Sequence, residues 1–208
     1  MSNIRSNNSR EQFSIREVLA IILTMILLSA FLPASSNAET TAGSIPVITS
    51  IGKKNVRVDG VKSGNKLLEY TIPQELLEQD PQFLALMIEA EKYIGYPYVY
   101  GGSKPSVSFD CSGFVCWVYR HAGVYNTSRK GATGLYKICK PISPEEARPG
   151  DLIFFEGTMG PDVDGITHVG IYVGNNMMIH AGDPIGFADL TKKKWVSKFY
   201  GFGRLPID

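Results

Sequence analysis

Cys111, His168 and His180 are the residues with which this 208-residue chain could do nucleophilic chemistry. A thiolate attacks a carbonyl carbon, an imidazole takes and returns the proton, and a third polar group fixes the tautomer of that imidazole. The chain holds three cysteines and three histidines, few enough to weigh one by one. Cys111 opens an apolar stretch, Phe114-Val-Cys-Trp-Val-Tyr119, that reads as a buried helix stopped by Gly123. At a helix head, unpaired N–H groups and the macrodipole put partial positive charge beside the sulfur, which predicts a lowered thiol pKa. Cys116 lies five positions further on and points away, and it reads with Cys139 as a packing residue. Taken alone, a cysteine in apolar surroundings is more often core than catalyst, so the case turns on a base.

His121 sits at the far end of the same helix, about 15 Å from Cys111 at 1.5 Å per residue, where a cation suits the helix C-terminus. His168 and His180 flank Gly174-Asn175-Asn176, a turn signal between two apolar runs. A three-residue loop places Val173 opposite Met177, Ile171 opposite Ile179 and Val169 opposite Ala181 on one apolar face. The other face then carries Tyr172 with Met178, Gly170 with His180 and His168 with Gly182. A two-residue loop would scramble both faces, and a buried face resists such slips. The predicted hairpin therefore presents both imidazoles together, close enough for one to orient the other. Singly, each histidine reads as a satisfied structural residue; it is the joint pattern with Cys111 that favours chemistry. A zinc site from Cys111, His168 and His180 is the chemical alternative, but no Cys-x-x-Cys or His-x-x-x-His spacing supports it and Asp183 would have to serve as fourth ligand. No metal or cofactor is expected.

The elements that must position these residues follow from punctuation and periodicity. Asp80 caps a helix opened by Pro81, with Leu84, Met87, Ile88 and Ile94 at helical spacing and Gly95 as its stop. Residues 151–155, 169–173 and 177–181 read as strands, so helices precede strands in an α+β plan. Tyr98 is a candidate for lining a substrate groove, with core packing as the equal alternative. At 44% hydrophobic and 20% charged the composition is globular.

Residues 1–38 read as an export segment. Arg5, Arg10 and Arg16 precede an uncharged, mostly apolar run over residues 18–32, and Ser36-Asn37-Ala38 fits a signal peptidase site. A retained membrane anchor is the rival reading, though the run is shorter than the roughly 20 apolar residues that span a bilayer. Either way the remainder is expected outside the cytoplasm, with the membrane touched only through this segment. The segment holds three basic and two acidic residues of totals of 21 and 20, so the rest has no net charge and no field that would draw nucleic acid. An odd, small number of cysteines argues against a disulfide framework. Residues 39–75, rich in Thr, Ser, Gly, Lys and Asn, read as a linker, and within it Lys53, Lys54, Arg57, Lys62 and Lys66 have only one acid, Asp59, set among them. The domain proper is placed at residues 76–208.

Five ordered motifs carry a resemblance: Tyr98-Val-Tyr-Gly-Gly, Phe109-Asp-Cys-Ser-Gly-Phe114, Pro149-Gly-Asp-Leu-Ile-Phe-Phe155, Thr167-His-Val-Gly-Ile-Tyr-Val-Gly174 and Ile179-His-Ala181. Over about residues 80–206 the chain resembles the NlpC-type cell-wall cysteine peptidases. The resemblance implies a papain-like α+β fold, with the nucleophile at a helix N-terminus packed on an antiparallel sheet. It also implies hydrolysis of γ-D-glutamyl bonds to a diamino acid in peptidoglycan stem peptides. By motif match Cys111 is the nucleophile, His168 the base and His180 the orienting residue, while Asp110 and Ser112 help hold the substrate's free amine. Two competing readings keep the fold: an acyl or amide transferase, and a non-catalytic wall-binding or assembly module.

Overall fold

The computed structural model describes residues 44–160 and 162–207; the export segment expected over residues 1–38 lies outside them. The helices are α1 (Gln74–Gln79), α2 (Pro81–Glu91), α3 (Cys111–His121), α4 (Ala132–Ile138) and α5 (Lys193–Val196). Two short hairpins, β1 (Arg57–Val58) with β2 (Val61–Lys62) and β3 (Ser103–Lys104) with β4 (Ser108–Phe109), precede the main sheet. That sheet holds β5 (Lys140–Ile142), β6 (Leu152–Glu156), β7 (Ile166–Gly174), β8 (Met177–Ala181), β9 (Ile185–Asp189) and β10 (Phe199–Arg204). Its order is β5-β10-β6-β7-β8-β9, with every pair antiparallel. This is the α+β arrangement expected, with the helix that Cys111 opens laid on an antiparallel sheet.

Period-two alternation divides the sheet between two apolar clusters. Phe154, Val169, Ile171, Val173 and Ile179 pack with α2 and α3, whereas Ile153, Phe155, Met178 and Phe202 pack on the other face with Trp195 of α5. Helix α3 sits in the first cluster, where Phe114, Val115 and Val118 are fully buried, each contributing roughly 1.5–3 kcal/mol of burial energy. Helix α2 starts as predicted, since Asp80 Oδ1 accepts from the N–H groups of Gln82 (2.8 Å) and Phe83 (3.2 Å). Its buried face is rotated from the predicted one. Phe83, Leu86, Met87 and Ala90 point inward and Ile88 is 41% exposed, because the run Phe83-Met87 and Leu86-Ala90 gives the broader i, i+4 apolar stripe.

The described part of the stretch expected to be a linker packs onto the domain. Ile48 and Ile72 are buried in the main core, the Ile72 N–H donates to the Ile48 carbonyl at 3.0 Å, and Tyr70 meets Phe187 of β9 edge to face at 5.1 Å. Two apolar anchors set among polar residues were enough to dock the segment, and a composition average hides them.

Candidate active site

The hairpin of β7 and β8 reaches its predicted register by a different turn. Asn175 and Asn176 form a two-residue turn with φ of 49° and 56°, and Gly174 pairs with Met177. Asparagine tolerates these left-handed angles, and such turns match the twist of the strands. A bulge between Tyr172 and Gly174 absorbs the missing residue, so Tyr172 still faces Met178 and Ile171 still faces Ile179. Val173 does not pair with Met177 as expected. Both imidazoles consequently lie on one face of the sheet, where His168 Nε2 and His180 Nδ1 are 2.8 Å apart. Gly170 makes room for them, because a Cβ there would stand 3.2 Å from the Cβ of His180 and 2.8 Å from the sulfur of Met178.

Trp195 packs against both rings. Its ring stacks on His168 at 5.6 Å and meets His180 edge-on at 5.1 Å. Nothing in its neighbourhood of four basic and apolar residues signalled a partner 27 positions earlier. Burial drives the His168 pKa down to about 4, with the nearby Lys194 ammonium acting in the same direction, and His180 is pushed well below its ordinary value by burial, His168 and Lys194. Both rings are therefore neutral near pH 7. The unfolded chain binds protons at these positions below about pH 6.5, while the folded chain refuses them down to about pH 4. This contribution to stability is thus complete above pH 6.5 and is lost as the pH falls through that window, up to about 3 kcal/mol for His168. Denaturant midpoints at pH 7 and pH 4.5 should diverge in the parent chain and draw together in a His168→Asn/His180→Asn variant.

Cys111 is the first residue of α3, with Asp110 as its cap. Asp110 Oδ1 accepts from the Gly113 N–H (2.7 Å) and the Ser112 hydroxyl (3.1 Å), and Oδ2 accepts from the Gly101 N–H (3.1 Å) and from the guanidinium of Arg129. Arg129 also donates to Ser112 Oγ at 2.8 Å. No local pattern marks Arg129, which lies in an irregular stretch 19 residues beyond the carboxylate it holds. Close packing at the helix head needs Gly113, since a Cβ there would come within 2.1 Å of the Gly102 carbonyl oxygen.

The thiol pKa runs against expectation. It is pushed up to about 11, first by burial and then by the Asp110 carboxylate, while the N–H groups of Val169 and Ser112 and the Arg129 charge act the other way. The positive helix head is offset by the anionic cap beside it. Cys111 is only 6% exposed, and among the described residues the side-chain hydrogen bond made by His168 and His180 is the one to each other. The resting pair is accordingly a neutral thiol and a neutral imidazole, not an ion pair.

Two concavities meet at this point and share Tyr98, Tyr100, Met159 and Thr167. One, of about 310 Å³, is lined by Asp110, Cys111, Ser112 and Arg129; the other, of about 570 Å³, is lined by His168, His180, Lys194 and Trp195. Tyr98 lies between them, its N–H donating to Asp183 Oδ1 at 3.3 Å and its phenol pKa raised by burial and by Cys111 and Asp110. Among the described residues no group of three or more His, Cys, Asp or Glu side chains is placed to hold a metal ion. His121 stands apart, stacked on Trp117 at 3.7 Å with its Nδ1 2.9 Å from the Trp117 carbonyl oxygen.

Residues 95–204, which contain all of these groups, match the family model described as the NlpC/P60 family. The chain belongs to that family. The bifunctional muramidase/DL-endopeptidase CwlT of Bacillus subtilis strain 168 is 45% identical over 121 residues, covering 58% of this chain and 36% of that protein. The gamma-DL-glutamyl hydrolase of the same organism is 40% identical over 119 residues, covering 56% of this chain and 28% of its own length. The chain thus spans about a third of the length of these NlpC/P60 relatives. Among solved structures, a lipoprotein-like NLP/P60 protein of Staphylococcus aureus Mu50 superposes with a TM-score of 0.59 at 44% identity, covering 62% of this chain and 43% of that one.

Proposed function

We propose that this chain is a cysteine endopeptidase that hydrolyses γ-D-glutamyl-diamino acid bonds in peptidoglycan stem peptides. The observation that carries the reading is the imidazole pair, joined at 2.8 Å on one face of β7 and β8, beside the helix head that bears Cys111. The printed activities of the two Bacillus relatives, DL-endopeptidase and gamma-DL-glutamyl hydrolase, point the same way.

In this mechanism the Cys111 sulfur adds to the carbonyl carbon of the scissile amide as its proton passes to His168. His168 then gives that proton to the departing amine, leaving a thioester, and a water deprotonated by His168 releases the acid and frees the thiol. Because the acid that protonates the amine must face it, the diamino acid side occupies the histidine-lined concavity. The acyl side takes the one lined by Cys111 and Arg129. Asp110 and Ser112 serve there as binding residues with Tyr98 across the groove. A substrate amine reaching Asp110 has to share it with Arg129, which already holds that carboxylate.

The chemistry needs no metal, nucleotide or other cofactor. We place the enzyme outside the cytoplasm, delivered by residues 1–38. No helix among the described residues is long and apolar enough to cross a membrane. The test is to incubate the reduced protein with purified peptidoglycan and identify new termini by mass spectrometry, with and without added amine acceptors. New γ-D-glutamyl carboxyl ends are expected; intact peptides after exhaustive incubation would refute the proposal, and amine adducts as the main product would make the chain a transferase.

A further inference from the structure

A third concavity, of about 730 Å³, lies in the segment ahead of the family-matched residues and takes no part in the site described above. Its walls carry Lys53, Lys54, Arg57, Lys62 and Lys66 against one acid, Glu69. We propose that this basic concavity binds an anionic phosphodiester polymer of the cell wall and docks the enzyme on it.

The surface is built and held. β1 and β2 pair Arg57 with Lys62 across a tight turn in which Asp59 and Gly60 take φ of 45° and 78°. The Asn55 carboxamide donates to both the Ser63 (3.1 Å) and Asn65 (2.6 Å) carbonyl oxygens, closing the loop that follows. The segment is anchored to the domain by the Val56 N–H on the Gly95 carbonyl at 2.9 Å and by the Asn65 carboxamide on the Asp183 carbonyl at 2.8 Å. Asp183 also lines the histidine-side concavity, so an occupant of the basic surface lies beside the rim of the groove.

Charge selects the ligand class. Lys53 is committed to Glu91 at 3.0 Å and the Arg57 guanidinium donates to the Gly60 carbonyl, while Lys54, Lys62 and Lys66 make no ion pair among the described residues. With 21 basic and 20 acidic residues the whole chain is close to neutral, so this cluster is a local feature and not a consequence of net charge. The cations are spread around an open surface, which suits charges that repeat along a flexible chain better than one small anion. No aromatic side chain lines it, so bases would find nothing to stack on, and a phosphodiester chain without bases fits where nucleic acid does not. The proposal rests on the wall-directed reading only for the source of the polymer.

The test uses the full 208-residue chain carrying Cys111→Ala, so that the wall stays uncut and binding is read apart from hydrolysis. Co-sedimentation with intact walls is compared with walls stripped of phosphodiester polymer by hydrofluoric acid, which keep their peptide carboxylates. The expected result is retention at least about tenfold weaker on stripped walls, and a like loss on intact walls for Lys54→Gln/Lys62→Gln/Lys66→Gln. The slope of log affinity against log salt should fall by about two in that variant. In the background that retains Cys111, the same three substitutions should leave turnover of a small soluble stem peptide unchanged. Equal retention on both kinds of wall, or an unaltered triple variant, overturns the proposal. So does a DNA oligonucleotide that competes as well as the wall polymer, which would reassign the surface to nucleic acid.

Discussion

Replacing Cys111 with alanine is expected to lower the proposed peptidoglycan hydrolysis by a factor on the order of 10⁴ or more, measured as the initial rate of new termini from purified walls, while leaving the fold in place. The size of the effect follows from what the residue supplies. No other side chain in the groove offers a nucleophile held at a helix head: Ser112, next in sequence, has its hydroxyl engaged by Asp110 and Arg129. The fold survives because the substitution deletes a single sulfur from a site already packed by Phe109 and Phe114, and the Asp110 cap acts through Gly113, whose backbone is unchanged. A variant that keeps its thermal transition and still releases termini at the parent rate would remove Cys111 from the mechanism. A variant that is hydrolytically dead but fully active in cells would favour the assembly-module reading instead.

The two histidines should separate by about two orders of magnitude: His168→Ala is expected to lose on the order of 10⁴ in turnover, and His180→Asn about 10- to 100-fold. The asymmetry comes from the 2.8 Å contact, which occupies Nε2 of His168 and leaves Nδ1 as the nitrogen able to receive a proton. For that, Nε2 must carry its hydrogen and donate it to His180 Nδ1, and an asparagine oxygen can accept in the same place. Alanine at 168 leaves no base, whereas Trp195 still stacks against His168 when only residue 180 has changed. Steady-state rates on one defined stem peptide decide the matter, and equal losses in the two variants would contradict this division of roles.

Much of the site was legible in sequence because its parts are local. The cap-and-proline start of α2, the apolar run of α3 and the alternation through β7 and β8 each declare themselves within a dozen residues, and parity put both imidazoles on one face. What could not be read was long-range. Arg129 and Trp195 reach the site only through tertiary packing, and neither is flanked by a periodic signal. The thiol pKa departs from the expected direction for a related reason: the helix dipole and the adjoining Asp110 are both visible in sequence, but how deeply the fold buries the Cys111 sulfur is not. Strands β9 and β10 escaped notice because Gly186, Gly201 and Gly203 interrupt their apolar pattern, and the docked stretch around Ile48 and Ile72 was masked by its polar neighbours.

The Asn175-Asn176 turn and its adjoining bulge bear on how this chain can vary over evolutionary time. Since the bulge absorbs one position, loss or gain of a single residue between Tyr172 and Met177 can be tolerated only if the bulge vanishes or widens in step. Any uncompensated indel would invert His168 relative to His180. Homologous hairpins should therefore differ in length by matched changes of turn and bulge, with the spacing from base to partner effectively conserved by geometry even where the residues between them drift.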